Sequence, residues 1–312
     1  DSMKIISLIP AATEVLYDLG LADNIYGITD ECNYPSNVHD KNIVCNIKID
    51  LNNLKNIEIE NEILNMVKNG ESPYIVDEDK INEINPDYII TQELCNVCAV
   101  SKNEIKKIDI KKKIIDYSPK TLYDVPEMIF NISNILGVKE AGNEIRKNFL
   151  DSINLIKEKT LSNFDKPRVF AMEWLDPIYT AGHWVPDMIE VSGGISKLSK
   201  SGEKSKKINF SKLIEYAPNY IFIMPCGYNV ERTLNEIDTI LSNKELNKIP
   251  AFKNGQVYIV DADSYFTRPS TRLLEGIKIL AKTLQPSIFT YETIPDSVIN
   301  LHNFIHFESF SG

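Results

Sequence analysis

The chain has 312 residues, of which 43% are hydrophobic and 25% are charged, and its formal net charge is −10 at pH 7. This length can bury two ordinary hydrophobic cores, and the acidic balance opposes the counterion release that drives nucleic-acid binding. No apolar run approaches the ~20 residues that cross a bilayer, so the sequence predicts neither a nucleic-acid-binding nor a membrane-spanning protein.

The first predicted lobe spans residues 1–121. It opens with KIISLIPAATEVLYDLGL, in which a short buried strand is followed by a turn at Pro10 and a helix. A second strand is predicted over residues 25–29, before a polar loop. The segments INPDYIITQELC and KKKIIDYSP each add an apolar strand, so the pattern is that of an α/β lobe.

The middle of the chain, residues 122–164, has helical apolar spacing and no strand pattern, so we predict one long connecting helix there. The second lobe, residues 165–288, repeats the first: RVFAMEWLDPIYTAGHW mirrors the opening, and YAPNYIFIMPCGY matches INPDYIITQELC. We therefore predict an α/β fold in which two lobes with mostly parallel sheets are joined by a single long backbone helix, with a ligand cleft between the lobes. The tail, residues 289–312, has no assigned structure.

Candidate binding residues follow from the predicted strand ends, because ligands of parallel α/β sheets bind beyond the carboxyl ends of the strands. In the first lobe these residues are Pro10, Ala11, Thr13, Glu31, Cys32, Tyr34, Gln92, Glu93 and Cys95. In the second lobe they are Glu173, Trp174, His183, Trp184, Cys226, Tyr265, Arg268 and Arg272. We expect both sets to line one cleft.

A Cys-x-x-Cys pair, Cys95 and Cys98, lies in the segment TQELCNVCAVS. A zinc site would need Cys32 and His183 to complete four ligands, and a redox pair would need a thiol at a helix start. We favour a third interpretation, in which the thiols belong to the wall of the binding site, and we predict no bound metal. Five cysteines do not form a disulfide scaffold, and their odd number leaves at least one thiol free, so we expect a reducing compartment.

The histidine and the two tryptophans among the second-lobe candidates each have two alternative roles. His183 either contacts the ligand or bonds to backbone at a helix start. Trp174 and Trp184 follow a strand and stand at a turn, which favours pocket walls over core positions.

The arginines of the second lobe, Arg268 and Arg272, lie four residues apart at a predicted helix start. Positive charge is unfavourable at this end of a helix unless a negative partner is near. Either an anionic or amide-bearing ligand or an ion pair with Glu173 or Asp263 would supply that partner.

Three motifs occur in order between about Lys4 and Leu284: SLIPAATEVLYDLGLADNIYGITDECNYP, MEWLDPIYTAGHWVPDMIEVSGG and VYIVDADSYFTRPSTRLL. Together they resemble the cobalamin-binding proteins of the helical-backbone class of ABC-transporter substrate-binding proteins. The resemblance implies two lobes joined by one long helix, and ligand capture without catalysis. It also implies cobalamin or a related corrinoid as the ligand, no required cofactor, and an ABC permease as a partner.

The sequence departs from this family at two kinds of position. The tryptophans that stack on the corrin in the family correspond to Asn46, Gln92 and Lys206, so we expect the aromatic residues of the second lobe to supply other stacking faces. The glutamates that contact the permease correspond to Asp79 and Ser211, so one of the two ion-pair anchors is missing.

The favoured function is therefore a non-catalytic binding protein for a ring-bearing small molecule. The alternative is a cytosolic enzyme or metal-dependent protein built on the same lobes. Its acid or base would be Glu31, Glu93 or Glu173. Its nucleophile would be Cys32 or Cys95.

The start of the chain bears on the expected location. Asp1 and Ser2 precede Met3, which leads directly into the first strand. If Met3 is the natural start, we expect a cytosolic protein without a tight permease partner. The alternative is a periplasmic or cell-surface binding protein.

Overall fold

The computed structural model describes residues 2–92, 113–163 and 165–309. Within these residues the chain forms two separate sheets of six strands each. Its internal contacts divide it into two compact units, Asp1–Pro119 with Asp124–Lys147 and Lys120–Tyr123 with Asn148–Gly312. The two separate sheets confirm the predicted two-lobe α/β class, whereas the cleft between the lobes stays a prediction.

The first unit contains the first sheet. Its strands are β1 (Ile5–Ser7), β2 (Ile25–Thr29), β3 (Ile43–Ile47), β4 (Tyr74–Val76), β5 (Tyr88–Thr91) and β6 (Lys113–Asp116). Its helices are α1 (Pro10–Asp18), α2 (Asn56–Lys68), α3 (Glu78–Ile84) and α4 (Asp124–Ile135). The strand order is β4-β3-β2-β1-β5-β6, and only β3 and β4 pair antiparallel. This sheet is mostly parallel, as predicted.

The first helix forms where the sequence predicts it. Pro10 is its first residue and follows the extended Ile9, a position where the missing N–H of proline has no consequence. The helix ends at Asp18, and Gly20 follows with a φ of +75°, which suits a residue without Cβ. The N–H of Leu21 then reaches back to Leu16 O at 2.9 Å, which closes the last turn. The helix is therefore fixed at both ends beside β1.

The second unit contains the second sheet. Its strands are β7 (Val169–Trp174), β8 (Tyr179–Thr180), β9 (Lys206–Lys207), β10 (Tyr220–Ile223), β11 (Val257–Val260) and β12 (Val298–Asn300). Its helices, after the boundary helix α5 (Lys139–Thr160), are α6 (Val185–Val191), α7 (Phe210–Tyr216), α8 (Val230–Leu234), α9 (Asp238–Leu241), α10 (Pro250–Lys253), α11 (Ala262–Tyr265), α12 (Leu273–Leu284) and α13 (Leu301–Ser309).

The second sheet is mixed, in the order β12-β11-β10-β7-β8-β9. Parallel pairing joins β10 to β7 and to β11, whereas β7–β8, β8–β9 and β11–β12 are antiparallel. The prediction of a mostly parallel sheet thus describes the centre of this sheet but not its edges. The tail that had no assignment supplies the edge strand β12. No helix among the described residues combines the length and apolar character of a membrane span.

The repeat seen in the sequence has a structural counterpart at β5 and β10. Asp87 precedes β5, and its carboxylate accepts the N–H of Lys4 at 2.8 Å. Asn219 precedes β10, and its side-chain oxygen accepts the N–H of Arg168 at 2.9 Å. In each unit, the side chain before one central strand accepts the backbone N–H of the residue that precedes the neighbouring strand. The matching motifs therefore form the same junction twice.

The predicted connecting segment, residues 122–164, contains two helices, α4 and α5. Gly137 separates them, with a φ of +78° that suits glycine. The N–H of Val138 donates to Ser133 O at 2.8 Å, which ends α4 in the manner of a glycine-terminated helix. The long predicted helix is α5, with 22 residues. The boundary between the two units falls within it, after Lys147.

Candidate functional site

The predicted residues of the first unit include a buried polar cluster at the ends of β1 and β2. Thr13 Oγ1 lies 2.9 Å from Ser7 Oγ and 3.3 Å from Cys32 Sγ. Thr29 Oγ1 lies 3.5 Å from the same sulfur. All four side chains are buried. The cluster holds α1 against the loop after β2. That Thr13 and Cys32 also contact a ligand stays a prediction.

The other candidates of the first unit differ in exposure. Ala11 and Gln92 are buried, Pro10 and Glu31 are partly buried, and Tyr34 is 43% exposed. Glu93, Cys95 and Cys98 lie outside the described residues, so the interpretations of the Cys-x-x-Cys pair stay predictions. Among the residues that the structure does describe, no group of three or more His, Cys, Asp or Glu side chains is arranged to hold a metal.

Asp30 was not singled out from the sequence, yet it fixes the loop that carries Glu31 and Cys32. Its two carboxylate oxygens each lie 3.2 Å from the N–H of Ile47 in β3. Burial raises the pKa of this carboxyl, although the backbone N–H groups of Ile47 and Glu31 act in the opposite direction. Its role is to position the loop.

In the second unit, the loops after β7, β10 and β11 are tied together by backbone hydrogen bonds. The N–H of Cys226 donates to Glu173 O at 3.1 Å, and the N–H of Ala262 donates to Tyr228 O at 3.0 Å. These bonds bring the carboxyl ends of the three parallel strands into one surface, which we call the second-unit edge. Glu173, Trp174, Cys226 and Tyr265 all lie on its elements, as predicted from the strand ends.

Aromatic rings occupy the second-unit edge. Trp174 meets Tyr228 edge to face, with ring centroids 5.7 Å apart and an angle of 63° between the planes. Tyr228 donates its hydroxyl to Glu236 Oε1 at 2.9 Å, and the guanidinium of Arg232 lies 4.5 Å from the centre of its ring. Tyr228 was not among the predicted residues; its signal was its place two residues after Cys226, in the loop that follows β10.

Trp184 is almost fully buried. Its Nε1 donates to Phe266 O at 2.7 Å, which ties the turn before α6 to the loop after α11. The ring of His183 stacks on it at 5.4 Å. The indole N–H of Trp184 is therefore used in a hydrogen bond within the protein. Its predicted contact with a ligand can involve only the face of the ring.

His183 occupies a left-handed turn with a φ of +52°. Its N–H donates to Glu203 O at 2.6 Å, and its carbonyl accepts the N–H of Gly202 at 2.9 Å. Of the two roles predicted for His183, the structure therefore contains the one in which it bonds to the backbone. Its Nε2 is buried and has no hydrogen-bond partner among the described residues. Burial, and secondarily the charge of Lys204, lowers the pKa of the imidazole, so the ring is neutral at pH 7.

The two arginines have protein partners. Arg268 is buried and its Nη2 lies 3.0 Å from Asp263 Oδ1, so of the two predicted alternatives the structure contains the ion pair with Asp263. The guanidinium of Arg272 lies 5.2 Å from the ring centre of Tyr265. Burial raises the pKa of the Tyr265 hydroxyl, and its hydrogen bond with Arg272 partly opposes this shift.

Glu173 is engaged by a residue that sequence reasoning missed. Its Oε2 accepts a hydrogen bond from the hydroxyl of Ser205, whose oxygen also accepts the N–H of Gly182 at 3.2 Å. Ser205 precedes the short strand β9, whose two lysines form no apolar pattern, so nothing in the sequence pointed to it. This bond ties the end of β7 to the segment before β9. Cys226, beside it, is exposed.

Comparison with known proteins identifies the class. Residues 5–264 match the family model described as periplasmic binding protein. This match covers most of the chain, which therefore belongs to the periplasmic binding protein family.

Curated relatives are similar over nearly the whole chain. An uncharacterized ABC transporter substrate-binding lipoprotein of Bacillus subtilis is 24% identical over 295 residues, which covers 92% of this chain and 81% of the relative. A vitamin B12-binding protein of Vibrio cholerae is 24% identical over 278 residues, with 88% and 86% covered.

Solved structures show the same fold. The periplasmic vitamin B12-binding protein of Vibrio cholerae gives a TM-score of 0.66 at 21% identity, over 91% of this chain and 97% of that one. A periplasmic heme-binding protein of Roseiflexus gives a TM-score of 0.69 at 17% identity, over 92% and 100%.

These comparisons decide several expectations. The resemblance to ABC-transporter substrate-binding proteins is confirmed, and the relatives are binding proteins, which sets the enzyme alternative aside. The expectation of a cytosolic protein has no support, because the relatives are named as periplasmic proteins or a lipoprotein.

Proposed function

We propose that this chain captures a corrinoid outside the cytoplasm and presents it to an ABC permease. The observation that carries this proposal is the aromatic second-unit edge, where Trp174 stands against Tyr228 in a fixed geometry. Flat, ring-bearing ligands bind to such faces because stacking buries a large apolar area while leaving polar substituents at the rim. The vitamin B12-binding proteins among the relatives support a corrinoid as that ring.

The second-unit edge is suited to binding rather than to chemistry. Glu173 is bonded to Ser205, and Arg268 is paired with Asp263. A general acid or base must be free to exchange a proton with the substrate, whereas Glu173, the candidate acid or base on this edge, is held in a hydrogen bond within the protein. The proposed role of the edge is therefore to recognise the ligand and release it unchanged.

The permease contact is proposed at the first turns of α3 and α7. Asp79 lies in the first turn of α3 and Ser211 in the first turn of α7, so the two predicted docking positions are equivalent in the two units. Charge at such positions steers association and sets specificity more than affinity. We propose that docking relies on Asp79 in the first unit and on uncharged contacts around Ser211 in the second.

Calorimetry with cyanocobalamin tests the ligand, and hemin serves as a comparison because it is also a flat macrocycle. We expect saturable binding of one cyanocobalamin per chain, with weaker binding of hemin. Tight binding of hemin and none of cyanocobalamin would replace the corrinoid with a heme. Absence of binding to both would refute the proposal.

Fractionation of the natural full-length product in its own cells tests the location. We expect the protein in the periplasm or on the cell surface. Recovery with cytosolic markers would contradict the transport role and restore the cytosolic expectation.

A further inference from the structure

We infer that the indole N–H of Trp174 donates a hydrogen bond to the bound ligand, which meets it with a neutral acceptor oxygen such as a carboxamide carbonyl. The inference rests on the proposed function, because it names one contact within the same site. It differs from the stacking role predicted from the sequence, since it concerns the edge of the ring and not its face.

The first observation is an unpaired buried donor. Trp174 Nε1 is buried and has no acceptor among the described residues. An indole nitrogen can only donate, and buried donors in native proteins are nearly always paired. The other tryptophan follows this rule, because Trp184 Nε1 donates to Phe266 O at 2.7 Å. Of the two indoles in the chain, the one on the second-unit edge therefore lacks an acceptor within the part of the chain that the structure describes.

The second observation is that the Trp174 indole is held in place. The backbone on either side of it is fixed, because Glu173 O accepts the N–H of Cys226 at 3.1 Å and Trp174 pairs with Tyr179 across the β7–β8 ladder. The ring lies against Tyr228, which is itself bonded to Glu236. The indole is thus held by its neighbours, so an acceptor that reaches its N–H meets a donor that is already ordered.

The third observation concerns charge. The arginines of this edge are engaged by protein groups: Arg232 with Tyr228, Arg268 with Asp263, and Arg272 with Tyr265. Two of these cations are paired with carboxylates, Arg232 with Glu236 and Arg268 with Asp263, so an anionic oxygen would lose its hydration and compete with those carboxylates. A carboxamide carbonyl accepts the same hydrogen bond at a smaller desolvation penalty. Corrinoids carry carboxamide side chains, whereas the polar side chains of heme are carboxylates.

The variant Trp174→Phe tests the inference, because it keeps an aromatic face and deletes the N–H. We expect the Kd for cyanocobalamin to rise about tenfold, equivalent to ~1.4 kcal/mol, with no fall in the Tm of the free protein. Trp184→Phe is the matched control: it deletes an N–H that already has an acceptor, so it should lower the Tm. Wild-type protein should also bind a corrinoid with hydrolysed, carboxylate side chains about tenfold more weakly than cyanocobalamin.

Indole signals in a ¹⁵N–¹H spectrum give a second readout, since the chain contains two tryptophans. Cyanocobalamin should shift the Trp174 proton downfield and leave that of Trp184 in place. A Trp174 proton that is already as far downfield as a bonded indole in the free protein would overturn the inference. Equal cyanocobalamin affinity of wild type and Trp174→Phe would overturn it and leave the corrinoid function standing. Failure of the wild type to bind cyanocobalamin would refute the proposed function and this contact with it.

Discussion

Arg268 provides a residue-scale prediction because it is charged and only 8% exposed. Its partner, Asp263, lies 3.0 Å away and has a side chain that is 21% exposed. Removing one member of a buried ion pair leaves the other without compensation, which costs about 3–5 kcal/mol when both are fully buried. Because Asp263 keeps some hydration, we expect Arg268→Ala to lower the free energy of unfolding by about 2–3 kcal/mol, measured by urea denaturation.

The control for this variant is Lys248→Ala. Lys248 and Glu245 form an ion pair whose side chains are 56% and 51% exposed. Exposed pairs contribute little, so the change should stay within about 0.5 kcal/mol. Equal effects of the two variants would show that burial does not strengthen the Arg268 pair.

His183 provides a second residue-scale prediction, about pH. Burial lowers the pKa of its imidazole in the folded state, so the unfolded chain binds the proton more readily. Well above the unfolded pKa of about 6.5, the titration of His183 therefore does not change the free energy of unfolding. As pH falls below that value, it lowers the free energy of unfolding. We expect His183→Asn, which tolerates the left-handed turn, to reduce the loss of Tm between pH 7 and pH 5.

His39 is exposed and supplies the matched control for this pH dependence. The variant His39→Asn removes an imidazole without removing a buried one, so its Tm should follow the wild-type curve. If His183→Asn shows the same pH dependence as the wild type, the buried ring does not contribute to acid sensitivity.

The sequence predicted part of this chemistry at the residue scale. Placement beyond strand ends singled out Glu173 and Trp174, because strand patterns are local and visible. Tyr228 and Ser205 were missed because they lie in loops, and what makes them relevant is a contact across the unit with a residue far along the chain. The partner of Arg268 was predicted as one of two alternatives, since charge balance limits the choice without fixing the geometry.

At the scale of elements, Ala217 allows a test of how α7 ends. Its φ of +48° and ψ of +60° place it in the left-handed region, which disfavours residues with Cβ by roughly 1–2 kcal/mol. Glycine avoids this strain but loses more conformational entropy on folding, roughly 0.5–1 kcal/mol. We therefore expect Ala217→Gly to raise the free energy of unfolding by about 0.5–1 kcal/mol, measured by chemical denaturation.

Ala141 gives the opposite expectation for the same chemical change. It lies within α5, where glycine is about 1 kcal/mol less favourable than alanine. Ala141→Gly should therefore destabilise the protein. A loss of stability in both variants would show that the left-handed geometry of Ala217 carries no strain.

Elements were predictable where their patterns were long and apolar. The strands β1, β2, β5, β6, β7 and β10 correspond to predicted apolar runs, and α4 and α5 both fall within the predicted helical segment. The strands β8 and β9 have two residues each, too few for a periodic signal. β12 was missed because an edge strand is defined by its pairing with β11. The break between α4 and α5 had a visible signal in Gly137, which the helical spacing on either side concealed.

At the scale of the whole molecule, the repeated motifs decided the class. Two copies of a strand–turn–helix pattern predict two sheets, because each copy supplies its own apolar strands. The edges of the second sheet were not predictable in this way, since antiparallel additions such as β12 have no counterpart in the first copy. The identity of the ligand depends on a few contacts in loops, and fold alone does not specify them.

Ligand capture predicts a stabilisation of the whole chain by mass action. A ligand at 100 times its Kd adds ~2.7 kcal/mol to the folded state. With the average unfolding entropy of about 2.1 cal/mol/K per residue, a chain of 312 residues should gain about 4 °C in Tm. Thermal denaturation with cyanocobalamin checks this value, and mass spectrometry of the released corrinoid should find it chemically unchanged. A modified corrinoid after incubation with the purified protein would contradict a pure binding role, because a protein that only captures its ligand returns it with the same bonds.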